Sequence, residues 1–168
     1  MANGRIAAIE TEVPAGAGDE THVIALPGLS NVHSHAFQRG MAGLAEHRGG
    51  GEDNFWSWRE VMYRFLDRLN PDDVEAVSAM AFKEMLETGH TRVGEFHYLH
   101  NDVDGRPYHD PAELAGRIVA AARTVGIGLT LLPTLYQRGG FRDESLATRQ
   151  QRFQCGSDEF LALCEGLS

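Results

Sequence analysis

A chain of 168 residues with 42% hydrophobic and 23% charged side chains is long enough to bury one core and too apolar to stay disordered. Its formal net charge of −9 works against a nucleic-acid binder, which needs a basic face for phosphates. It leaves room for an anionic small molecule held by a few local arginines.

No run approaches the roughly 20 apolar residues of a membrane helix. Met1 to Glu20 lacks the basic leader and apolar stretch of a secretory signal. Cys155 and Cys164 have neither zinc-knuckle nor redox spacing. The expectation is a reduced cytoplasmic protein that engages neither nucleic acid nor membrane.

Arg5 to Glu10 reads as a short strand through Ile6 and Ile9, and Pro14 to Gly18 as a flexible turn. His22 to Leu26 is an apolar run that stops at Pro27-Gly28, and Val32 to Ala36 resumes it. A strand is predicted to end near His35. Arg39 to Gly51 is rich in glycine and small residues and reads as a long loop, of the kind that carries function or moves.

Phe55, Trp58, Met62, Phe65, Leu66 and Leu69 then recur at helical spacing. The next helix has Asn70 as cap, Pro71 in its first position and Gly89 as its stop. A short strand is predicted over Arg92 to Leu99. Asp110-Pro111 repeats the cap signature before a helix that stops at Gly126, and Ile127 to Tyr136 reads as a buried parallel strand. Ser145 to Phe153 and Asp158 to Leu167 are the remaining predicted helices. Alternating strands and helices predict an α/β fold with a parallel sheet and right-handed crossovers.

His33 and His35 are the chemically pointed pair. Residues i and i+2 of a strand share a face, so both imidazoles can reach one ion. A catalytic zinc generally takes three protein ligands and a water, so two histidines do not complete a site. Their place at a strand end, before a polar loop, matches the rim where barrel enzymes keep their chemistry.

The pattern Pro27-Gly-x-x-Asn31-x-His33-x-His35 resembles the first-strand metal motif of the amidohydrolase superfamily. The continuation from His33 to Glu46 is narrower and looks like the formimidoylglutamate deiminase family. So do Phe55-Trp-Ser-Trp-Arg59, Glu95-Phe-His-Tyr-Leu-His100 and Gly128-Leu-Thr-Leu-Leu-Pro133. The resemblance implies a divalent metal, zinc first, with His33 and His35 as two of its ligands. It implies Gln38, Arg59 and Tyr98 as substrate-binding residues, and a small dicarboxylate substrate, N-formimino-L-glutamate, hydrolysed to N-formyl-L-glutamate and ammonia in histidine degradation. A dicarboxylate suits a guanidinium such as Arg59. A homodimer stays open.

The same resemblance implies a (β/α)8 TIM-type barrel. Residues 1–27 then read as the remnant of a small β-rich domain, and residues 28–168 as a partial barrel of about three strands. A whole barrel takes about 250 residues. The third metal histidine, the metal aspartate and the acid/base residues have no counterpart here. The chain therefore reads as an N-terminal fragment, an incomplete barrel expected to be inactive alone, with no catalytic residue assigned within it. Glu95, a tempting general base, lies where the family does not place its proton shuttle. His97 and His100 suit packing better than ligation, and Trp56 and Trp58 suit the core. Two alternatives remain: another amidohydrolase-type deaminase acting on a ring, and a non-catalytic metal-binding module.

Overall fold

The structure, a computed structural model, describes residues 5–47 and 54–167. Strand β1 (Leu29–Ser34) leads through helices α1 (Phe55–Leu66) and α2 (Pro71–Glu87) to β2 (His90–His97). Helix α3 (Glu113–Val125), β3 (Gly128–Pro133) and α4 (Ser157–Gly166) follow, with 3-10 helices at Ala36–Met41 and Thr148–Phe153. The three strands form one sheet in the order β1-β2-β3, and both pairings are parallel. The sequence predicts this α/β arrangement.

Local chemistry sets the helix ends. The Asn70 side chain accepts the Asp73 N–H at 2.9 Å while Asp73 accepts the Asn70 N–H at 3.1 Å, a reciprocal cap that leaves Pro71 in the first turn. Asn54 and Ser57 make the same exchange at the start of α1. Gly126 closes α3 at φ 85°, in the left-handed region that glycine enters without a Cβ penalty.

Strand alternation divides the sheet into two faces. Val93, Glu95 and His97 are buried on the face turned to the helices, whereas Phe96 and its register partner Leu132 are exposed on the other. Helices α2 and α3 pack on each other and on β2 and β3, and Val74, Phe82, Val93, Ile118 and Ala121 fill the layer between. Gly28 admits β1 to its place: a Cβ there would stand 2.2 Å from the Thr91 side chain.

Several sequence expectations are corrected. Arg5 to Glu10 is not a strand: only Arg5 makes an isolated bridge, and Ile6 and Ile9 are exposed. The predicted loop at Arg39 to Gly51 opens inside the 3-10 helix, and its end at 48–51 lies outside the described residues. Helix α3 starts at Glu113, because Asp110 spends its carboxylate on the Ala112 N–H at 2.8 Å and caps a turn ahead of the helix. The run predicted as one long strand leaves the sheet after Pro133, and Tyr136 pairs instead with Cys155 in an isolated antiparallel bridge. The predicted helix over Ser145 to Phe153 shortens to Thr148–Phe153, since Gln150 uses its side chain to hold the Ala147 N–H.

Arg152, in that last 3-10 helix, is 4% exposed. Its guanidinium donates to the Leu66 carbonyl, to the Leu69 carbonyl at 2.5 Å and to the Asn101 carbonyl at 3.3 Å. Carbonyls at a helix C-terminus lack intrahelical partners and carry negative dipole character, so a buried cation there is well matched. Arg152 thereby locks the end of α1 to the loop after β2. Arg152→Met is expected to lose about 2–3 kcal/mol of stability, from the charged hydrogen bonds lost and the Leu69 carbonyl deprived of its Arg152 donor. Denaturant unfolding reads this, and a loss below about 1 kcal/mol would contradict the locking role.

Candidate functional site

At the C-terminal end of β1, His33 and His35 turn their rings toward each other, with the two Nε2 atoms 3.1 Å apart. Two nitrogens bound tetrahedrally to one zinc at about 2.0–2.1 Å would stand about 3.3 Å apart. The pair is already at ligand spacing. Asn31 contributes by accepting the His33 N–H on its side-chain oxygen at 3.2 Å.

Strand β2 fixes the rings. The His35 Nδ1–H donates to the Phe96 carbonyl at 2.9 Å, an assignment that leaves Nε2 unprotonated and facing His33. The Phe96 ring stacks on His33 at 5.4 Å between centroids and meets His35 edge-on at 5.6 Å. Burial lowers the His35 pKa, the bond to Phe96 offsets part of that, and the neighbouring His33 ring lowers it further. His35 is therefore a neutral imidazole at neutral pH.

Next to the pair opens a cleft of about 510 Å³. Four of the five sequence-predicted residues line it: His35, Gln38, Arg59 and Tyr98. Gln38 donates to the Tyr98 hydroxyl at 3.0 Å. Tyr98 lies edge-on to both His35 and Phe153, at 5.0 and 5.1 Å, and burial above all pushes its phenol up to about 12. It is a neutral hydroxyl at any working pH. Arg59 gives its Nε–H to the Tyr63 hydroxyl at 2.7 Å. Among the described residues its terminal nitrogens have no hydrogen-bond partner, while the guanidinium lies over the Trp56 and Tyr63 rings.

Sequence reasoning misses other parts of the wall. Phe55 and Trp58 line it from α1, Phe96 from β2, and Tyr136 and Arg138 from the chain after β3. The aromatic spacing of α1 signals burial, but the rings serve the cleft as well as the core, and Trp58 is only partly buried. Trp56, expected in the core, is exposed under the Arg59 guanidinium. Arg138 stands after β3, where no residue pattern announces it.

The donor set fits a borderline divalent cation, since neutral imidazoles suit zinc and its neighbours. Among the described residues no third His, Cys, Asp or Glu joins the two histidines. His97 and His100 lie on the other side of β2: His97 is buried against the helices, and His100 binds the Thr134 carbonyl at 2.9 Å. Packing, as expected, is their place.

The sequence pattern of the amidohydrolase family matches residues 24–163. A formimidoylglutamate deiminase of Pseudomonas aeruginosa is 49% identical over 99% of the chain, which spans 37% of that protein's length. A solved amidohydrolase from Brucella melitensis superposes with a TM-score of 0.89 at 52% identity, over 95% of this chain and 36% of its own. An atrazine chlorohydrolase from Arthrobacter aurescens, solved with zinc and atraton, superposes with a TM-score of 0.56 at 22% identity, over 84% of this chain and 30% of its own, and so shows a shared fold. No helix among the described residues is long and apolar enough to cross a membrane.

The buried groups of β2 give a pH signature. Burial, with His100 beside it, pushes His97 down to about 3 from an ordinary 6.5. The folded chain therefore refuses a proton that the unfolded chain accepts below 6.5, and the stability that neutral His97 provides is lost as pH falls toward 3. Glu95 has the opposite sign: burial raises it from 4.5 to about 7, so its contribution is full below 4.5 and lost as pH rises through 7. Denaturant unfolding between about pH 7 and 4 checks both. The stability of the parent relative to His97→Asn should fall over that range, and relative to Glu95→Gln it should rise.

Proposed function

Because this chain belongs to the amidohydrolase family, we propose that the whole protein is a metal-dependent deiminase that hydrolyses N-formimino-L-glutamate to N-formyl-L-glutamate and ammonia. The observation that carries this reading is the convergence of the His33 and His35 Nε2 atoms beside a cleft that Gln38, Arg59 and Tyr98 share. Likeness to the Pseudomonas aeruginosa deiminase supports the substrate. The three parallel strands would open a (β/α)8 barrel, whose C-terminal rim is where such chemistry sits.

His33 and His35 would hold the divalent cation, zinc by preference. When bound, such a cation supplies Lewis acidity and brings the ionisation of water into the neutral range. The protein's own residues do the rest. The Phe96 carbonyl keeps His35 in the tautomer that offers Nε2. The terminal nitrogens of Arg59 face a substrate carboxylate, and its Nε stays anchored on Tyr63. Gln38 and Tyr98, joined at 3.0 Å, form one polar contact for the formimino end. Phe55 and Trp58 give the cleft an apolar wall beside Arg59.

The direct test is ammonia release from N-formimino-L-glutamate by the full-length, zinc-loaded protein. Turnover is expected, and it should disappear in His33→Ala and His35→Ala together with bound zinc. Arg59→Lys should raise KM by about 10- to 100-fold with kcat little changed, because one charged hydrogen bond of a bidentate pair is worth about 1.5–3 kcal/mol. Ammonia from an aminopurine and none from formiminoglutamate would assign a ring deaminase instead. Zinc uptake with no turnover on either would assign a non-catalytic module.

A further inference from the structure

Glu95 stands one residue before Phe96 and points to the opposite face of β2. It is 1% exposed. Its Oε1 accepts the Ala36 backbone N–H at 2.6 Å, and Ser34 stands opposite it in the β1–β2 ladder. Its Oε2 is buried with no hydrogen-bond partner among the described residues. An unsatisfied buried oxygen is costly, and an apolar side chain of the same length would fill the space without that cost. The carboxyl therefore needs an explanation beyond packing.

These two neighbours supply one, for Ser34 and Ala36 are the residues immediately before and after His35. Ala36 opens the 3-10 helix, so its N–H has no intrahelical acceptor and depends on Glu95. Ser34 pairs in register with Glu95 across the β1–β2 ladder. The backbone after His35 is thus tied to the Glu95 side chain and the backbone before it to the β2 ladder, while the neighbouring Phe96 carbonyl holds the ring. Strand β2 grips the ligand turn twice, once through a side chain and once through the main chain.

We propose that Glu95 is the positioning residue of the His33–His35 pair, aiming His35 Nε2 by fixing the Ser34–Ala36 backbone to β2. This rests on the reading of that pair as a metal site. Glu95 faces away from the cleft and touches no substrate.

The test uses the full-length protein with zinc alone as the probe, its affinity read by chelator competition and the Ala36 amide read by hydrogen exchange. Glu95→Gln retains an acceptor for Ala36 and should bind zinc within about threefold of the parent, with the amide still protected. Glu95→Met has the same reach and no acceptor. It should bind zinc about 10- to 100-fold more weakly, as supporting residues around metal ligands do, and exchange Ala36 faster. Glu95→Asp keeps the charge but stops one methylene short of Ala36, and should weaken zinc about tenfold. Parent-like affinity in Glu95→Asp overturns the proposal whether or not the Met variant folds, and so does an equal loss in Gln and Met. A parent that takes up no zinc overturns the metal reading and this inference with it; a parent that binds zinc beside an indifferent Glu95→Met overturns this inference alone.

Discussion

The parallel pairing of β1 with β2 governs everything else at the site. It brings Ser34 opposite Glu95 and lets the Phe96 carbonyl take the His35 Nδ1–H at 2.9 Å. A histidine on a free strand end would sample several rotamers and both neutral tautomers. Here the neighbouring strand removes those choices. With Nδ1 committed, only Nε2 is left to face His33, and the 3.1 Å spacing follows.

The same strand continues into the cleft. Two residues past Phe96, Tyr98 lies edge-on to His35, Phe37 and Phe153 and takes its hydrogen bond from Gln38. Helix α1 brings Arg59 to the far wall, and Arg152 holds the end of that helix through the Leu66 and Leu69 carbonyls. The ligand pair and the arginine are therefore mounted on elements with separate anchors. Such a cleft can keep its geometry without a ligand present, and this limits what binding costs in ordering.

Much of this is legible in the residues. The His-x-His spacing, the Asn70-Pro71 cap and the glycine at 126 state their geometry locally, and the α/β rhythm follows from the order of apolar runs. What stays hidden depends on partners distant in sequence. Nothing near Phe96 says that its carbonyl holds His35, since any residue offers the same carbonyl. Glu95 is set aside as a general base by resemblance alone, and only the pleat shows it facing the helices. Arg59 is named as a cleft residue only by resemblance, because its helical spacing also suits a solvated face. The apolar run after Ile127 ends early at Pro133, where the chain exchanges ladder bonds for the Tyr136–Cys155 bridge.

Strand β2 thus presets His33 and His35 as a two-nitrogen half of a metal site. A zinc-soaked crystal of the full-length protein, read by anomalous scattering, tests it most directly. The account predicts an ion about 2.0–2.1 Å from both Nε2 atoms, with His35 Nδ1 still hydrogen-bonded to the Phe96 carbonyl. An ion bound through His35 Nδ1, or bound away from this pair, would contradict it.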